Sequence, residues 1–177
     1  MDRALQRKFQ KLQRQKQDVL SDLAGLSAAQ LHFQPDSNSW CALDVLDHVI
    51  KTESTILAMV RQQLPNKNRV TLQNRAGAML VNAIMRSPIR VKVPRQATMV
   101  LPSTESDLPD ITANWSRTRD DIATLLESLT PEQMRIGAFR HPVAGWMNVN
   151  RTLMFLSVHL SHHVFQLERL KAASGHC

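Results

Sequence analysis

The sequence predicts an all-α fold, a four-helix bundle with short additional helices, in one domain spanning residues 1–177. Three observations carry this. Apolar residues recur at helical spacing over long stretches. β-branched alternation is rare, Gly is scarce at 5 and Tyr is absent. The long stretches are separated by proline-containing connections.

The first helix is expected over about Asp2 to Ala24, with Leu5, Phe9, Leu12, Val19, Leu20 and Leu23 on one side and Gly25 ending it. A short helical piece follows at Ser27 to Leu31, and Pro35 to Asn38 break the chain. The second long helix starts after Trp40. Cys41 lies near its cap and Asp44 sits in the first turn, where a negative charge suits the helix dipole. It runs to about Leu64, before Pro65. Another helix is expected from Thr71 to Met85. Ser87 to Pro102, with Pro88, Pro94 and Pro102, reads as an extended connection in which Ile89, Val91 and Val93 suggest a short strand.

The third long helix is expected over about Glu105 to Leu129, its apolar side formed by Leu108, Ile111, Trp115, Ile122, Leu125 and Leu129. Thr130-Pro131-Glu132 predicts a short helical turn. A loop with His141, Pro142 and Gly145 leads to the last helix, from Asn148 as N-cap to Ala173.

The bulk composition narrows the function classes. An apolar content of 43% supports a real core. No apolar run approaches the ~20 residues that span a bilayer. The N-terminal MDRALQRKFQKLQRQKQ lacks the apolar stretch of a secretion signal, so no membrane association and a cytoplasmic location are the default expectations. Cys41 and Cys177 form neither a CxxC pair nor a disulfide framework, which fits a reducing compartment. The net charge is +7, and no acidic residue occurs between Glu53 and Glu105. That stretch carries Arg61, Lys67, Arg69, Arg75, Arg86, Arg90, Lys92 and Arg95. Such a one-sign field can attract anions, nucleic acid or a carboxylated small molecule, or be a merely solvated surface. No zinc-finger spacing or RNA-recognition aromatic motif supports nucleic acid.

Seven histidines are present, and His159, His162 and His163 fall within five residues. With His163 at ~0° on the last helix, Leu156, Leu167 and Leu160 lie within about 60° of it, His159 near ~−40° and His162 near ~−100°. His159 and His163 therefore border the core, one turn apart, while His162 turns to the flank. A third ligand must come from elsewhere, and His48 is the histidine inside a different long helix. Burying a histidine on a core-facing stripe costs desolvation unless its nitrogens are satisfied, and a shared metal would satisfy one nitrogen per ring. From spacing alone a plainly satisfied core pair remains the competing reading. So does a metal-free interaction protein.

The other candidates have bland alternatives too. His162 can serve as base or supporting partner, or be half-exposed. Asp44, one turn before His48, can orient its ring or simply begin the helix. Gln166 can line the pocket or be a polar flank. Glu53 lies about 140° from His48 and should point away. Trp40, Trp115 and Trp146 are expected to pack in or at the ends of the core. His32, His141 and His176 are expected not to be ligands.

Several fragments, taken together in order, resemble the DinB/YfiT-like superfamily of bacterial helical bundles. SWCALDVLDH, Ser39 to His48, is similar to the family's Trp-Ser-x-x-Glu-Val-Leu-x-His entry into the second helix. HPVAGWMNV, His141 to Val149, resembles the loop before the last helix, and HLSHHVFQLERL, His159 to Leu170, its His-x-x-x-His-x-x-Gln ending. LAGLSAAQL, Leu23 to Leu31, matches the turn after the first helix. Cys41 replaces a usual Ser and Asp44 a common Glu, and residues 66–102 match no motif.

The resemblance implies an up-down-down-up bundle with His48, His159 and His163 meeting at one open end around a divalent metal, nickel or zinc among others. It implies a homodimer and a small-molecule substrate. It favours a thiol-dependent S-transferase acting on a small electrophile, with a low-molecular-weight thiol such as bacillithiol or mycothiol. The alternative chemistry for three neutral imidazoles is hydrolysis by an activated water.

Overall fold

A computed structural model describes residues 1–87, 95–102 and 107–175, with side-chain surroundings omitted for 95–97. Among the described residues six α-helices appear in order: α1 Arg3–Leu23, α2 Ala28–Leu31, α3 Ala42–Gln63, α4 Leu72–Met85, α5 Leu108–Ser128 and α6 Val149–Ser174. A small antiparallel pair, β1 Phe139–His141 and β2 Gly145–Met147, precedes α6. Helix α1 packs on α6 and α5, and α3 packs on α5 and α6, so the four long helices close a ring. Helix α4 lies outside that ring, against α6 and β2.

Each long helix starts where a side chain can satisfy free backbone N–H groups. Asp2 caps α1 and Asn148 caps α6. Helix α2 opens with a reciprocal pair between Ser27 and Gln30. Thr71 and Asn74 do the same for α4. Cys41 caps α3 through its sulfur, 3.4 Å from the Asp44 amide nitrogen, while Asp44 Oδ2 accepts from the Cys41 N–H at 3.0 Å. The thiol therefore substitutes for the hydroxyl usual at that position.

Three departures from the sequence reading have physical causes. Helix α5 begins at Leu108, where Asp107 caps it and Pro109 fits the first turn, whose N–H needs no partner. The segment after Thr130 is the single helical turn expected: Thr130 and Gln133 cap it reciprocally and the Met134 N–H donates to the Thr130 carbonyl at 3.1 Å. The loop around His141 is a hairpin. Its His141 Nδ1 accepts from the N–H groups of Val143 (3.1 Å) and Ala144 (3.2 Å), and Gly145 takes φ 71°, a conformation glycine adopts freely. In the connection read as extended, Arg95–Val100 forms a 3-10 helix. The strand suggested at Ile89, Val91 and Val93, the helix start at Glu105, and His176 and Cys177 lie outside the described residues.

The core has two apolar clusters. One includes Leu5, Leu12, Ile56, Phe155 and Leu156; the other includes Val19, Leu46, Trp115, Leu160 and Leu167. Along α6, the changeover between them falls between Leu156 and Leu160, at His159. A polar clasp sets how α1 sits on α6. Gln15 Nε2 donates to the Ser157 carbonyl (3.1 Å) and Ser161 Oγ (2.8 Å), and Ser157 Oγ donates back to Gln15 Oε1 (2.8 Å).

Glu53 does point away from His48, and it lands in the core. Arg119 donates to its carboxylate through Nε and Nη2, each at 2.7 Å, and Trp115 Nε1 donates at 3.0 Å. Both charged groups are buried. Such a pair is expensive to desolvate, and removing one partner leaves a lone charge in the interior. Arg119→Met should therefore destabilise the fold by roughly 3–5 kcal/mol in urea unfolding, and adding Glu53→Met should recover much of that loss.

Candidate metal centre

His48 stands two turns into α3, and its register follows from the Cys41–Asp44 cap. His159 and His163 stand one turn apart in the middle of α6. All three are buried, and one nitrogen from each lies within 4.8 Å of those of the others. Ring centroids are 4.6 Å apart for His159–His163, 4.8 Å for His48–His163 and 5.3 Å for His48–His159. The structure thus brings together the three residues expected as ligands.

Two of the rings are oriented by acceptors behind them. His48 Nδ1 donates to the Val100 carbonyl at 2.7 Å. His163 Nδ1 lies 3.1 Å from Gln166 Oε1, which makes it the donor. In both rings the proton on Nδ1 leaves Nε2 with a free lone pair. His163 Nε2 then accepts from His159 Nε2–H at 3.3 Å in the bare chain. Binding a metal would require that proton to leave. These features fit a divalent ion: imidazole donors only, two tautomers preset, and a short nitrogen–nitrogen approach that lacks any other partner of opposite charge.

Aromatic rings close the sides. Trp40 leans on His48 with centroids 4.9 Å apart, and Phe155 lies 5.6 Å from His159. Burial is the largest reason that all three histidines resist protonation. It lowers the pKa of His48, drives His159 well below its ordinary value, and takes His163 to about 3; mutual repulsion among the rings adds to the shift of the last two. Neutral imidazoles are the form that binds metals.

The remaining candidates fall into place. His162 is half-buried at the edge of the centre, its ring 5.5 Å from that of His163. Asp44 closes the α3 cap, and the His48 ring takes its partner from the Val100 carbonyl instead. Gln166 proves to be the acceptor behind His163. His32 is exposed at the end of α2. His141 stands outside the centre, behind Phe155 at 5.0 Å, with burial lowering its pKa to about 4. Trp115 is in the core, and Trp146 covers Gly137, where an added Cβ would lie 2.9 Å from the tryptophan Cβ. Val100 was missed by sequence reasoning because a backbone acceptor leaves no signature in residue type.

A helical bundle whose interior joins three imidazoles from two helices defines a class of histidine-centred bundle proteins. The chain belongs to the DinB superfamily: the family's model matches residues 11–167. It is 22% identical over 160 residues to the uncharacterized protein YuaE of Bacillus subtilis, covering 87% of this chain and 91% of YuaE. In fold it is similar to YfiT from Bacillus subtilis, described as "a probable metal-dependent hydrolase with an unusual four-helix bundle topology", with a TM-score of 0.67 and 15% identity over 99% of this chain and 90% of that one.

In the metal-free protein, the unfolded state binds protons on these histidines near pH 6.5, while the folded state resists them to lower pH. Each depressed pKa therefore contributes a loss of stability as pH falls from about 7 towards 4. The urea midpoint of metal-free protein should drop across that range, and saturating metal should hold it up at the neutral end.

Proposed function

We propose that this chain is a metal-dependent enzyme with a hydrolytic centre, its single divalent ion held by His48, His159 and His163. The observation that carries the reading is the convergence of three neutral imidazoles, two with their outer nitrogens already bonded. Three protein ligands leave a position for water or substrate, the pattern of catalytic rather than closed structural sites. When bound, the ion would supply Lewis-acid activation of a water and polarise a substrate oxygen. The description of YfiT supports hydrolysis over thiol transfer as the first reaction to test.

The chain's own groups have separable tasks. Val100 and Gln166 hold the His48 and His163 rings in the donating tautomer. Trp40 and Phe155 exclude water from two sides and raise the strength of electrostatic interactions inside. His162 stands beside His163 as the nearest further imidazole and is the candidate for proton movement at the rim. The metal's identity, nickel or zinc among the possibilities, and the dependence on a low-molecular-weight thiol are decided by the same experiment.

Untagged protein should carry about one divalent ion per chain by elemental analysis, and His163→Ala should reduce this to near none with helicity retained. Metal content unchanged by that substitution would refute the ligand assignment. Gln166→Leu should keep the fold and weaken metal affinity by about 10–100-fold. Metal-loaded protein would then be assayed on ester and amide substrates and, with small thiols, on a generic electrophile. Turnover that requires a thiol would replace hydrolysis by S-transfer as the activity of this centre.

A further inference from the structure

Two buried polar side chains, Thr52 on α3 and Asn82 on α4, have no hydrogen-bond partner. Thr52 is 8% exposed and Asn82 3%, and Thr52 Oγ1, Asn82 Oδ1 and Asn82 Nδ2 are all unpaired. Such groups forfeit their hydration on folding and receive nothing within the chain in return. Thr52 departs from the habit of other threonines in these helices. Thr112, Thr118, Thr124 and Thr152 each donate their hydroxyl to the carbonyl four residues back. Thr52 leaves the His48 carbonyl unused. Asn68, Asn74 and Asn148 likewise spend their carboxamides on backbone groups, and Asn82 does not. Asparagine is also a poor residue for a helix interior, so Asn82 is unfavourable to α4 on both counts.

Their positions connect them with the centre. Thr52 stands one turn after His48, about 40° round α3 from it. Ile56, one turn further, packs in the apolar cluster that contains Phe155, and Phe155 lies against His159. On α4, the buried neighbours of Asn82 are Ala78 and Val81, members of that same cluster. Beyond α4 the chain returns to Val100, whose carbonyl holds His48. Thr52 and Asn82 therefore belong to the two helices that pack on α6 around Phe155, the ring that walls His159.

We infer that Thr52 and Asn82 form a substrate subsite beside the three imidazoles, and that it takes a small neutral amide or ureide. The chemistry selects the class. A carboxamide offers one acceptor and one donor side by side. A primary amide or a ureide offers the same pair in reverse, so the two close a double hydrogen bond. A carboxylate would pair with Nδ2 and set a second acceptor against Oδ1. A hydrocarbon would leave both atoms unpaired. The Thr52 hydroxyl can donate or accept, and so serves whichever polar atom of the ligand remains. A site built to bond an N–H rejects analogues that lack it. The inference rests on the hydrolytic reading of the centre and narrows it from esters and amides to amides.

Cobalt-loaded protein titrated with acetohydroxamate, an amide-bearing metal ligand, should show a saturable change in visible absorption. Asn82→Leu, which keeps the branching and removes both polar atoms, should weaken that binding by at least about 10-fold. Azide, which lacks the amide pair, should bind both proteins alike. The same substitution should raise the Tm of the metal-free protein by about 3 °C, because an unpaired buried amide has gone. Thr52→Val, which adds no bulk, should act in the same two directions, weakening acetohydroxamate by about 3-fold or more. A fall in Tm with both variants would show that these groups already have partners in the folded chain, an ordered water among them, and would overturn the inference. So would an acetohydroxamate affinity unchanged by both. Cobalt bound normally, with azide and acetohydroxamate weakened equally, would refute the subsite alone. Wild-type protein that takes up no cobalt would refute the metal centre, and the subsite with it.

Discussion

Keeping three imidazoles uncharged inside a helical core is the constraint on which the centre depends. Each ring has given up hydration, and protonating any one would place a cation beside two others in a medium that screens poorly. The bundle answers with acceptors behind two rings and aromatic walls beside them. The α3 cap sets the turn on which His48 falls, and the Gln15–Ser157–Ser161 clasp fixes where α6 lies along α1. Small errors in either would separate the nitrogens, so local caps far from any chemistry determine whether the three can share a ligand.

The interior also holds a second polar group, with the opposite logic. Glu53 and Arg119 are partners of opposite charge, and the Glu53 carboxylate accepts from both Arg119 and Trp115. The histidines are neutral and directed at a common point. One arrangement joins two opposite charges, leaves Arg119 Nη1 without a hydrogen-bond partner, and ties α3 to α5. The other leaves Nε2 lone pairs turned inward and ties α3 to α6. Both lie on α3, on faces well separated around the helix, so this helix carries the main polar connections of the bundle in two directions.

The long helices and the three converging histidines were legible because both depend on spacing. Leu156, Leu160 and Leu167 define the buried side of α6, and the positions of His159 and His163 follow from it. Asn148, read as an N-cap, marked the start of α6 for the same local reason. The hairpin was less visible: two strands of three residues offer too little alternation, and its turn is closed by a histidine nitrogen in place of a familiar Asn-Gly pair. Glu53 was placed correctly relative to His48, yet its partner lies 66 positions away in sequence, beyond any periodic signal. The acceptors behind the rings divided in the same manner, with Gln166 within reach of a helical-wheel argument and the Val100 carbonyl outside it.

That carbonyl carries an evolutionary consequence. Every amino acid supplies a backbone oxygen, so the support behind His48 makes no demand on which residue occupies position 100, only on the path of the chain there. A replacement at position 100 can therefore occur without disturbing the His48 ring, provided that the oxygen keeps its place. Position 100 is thereby free to vary in residue type while the three imidazole nitrogens keep their places.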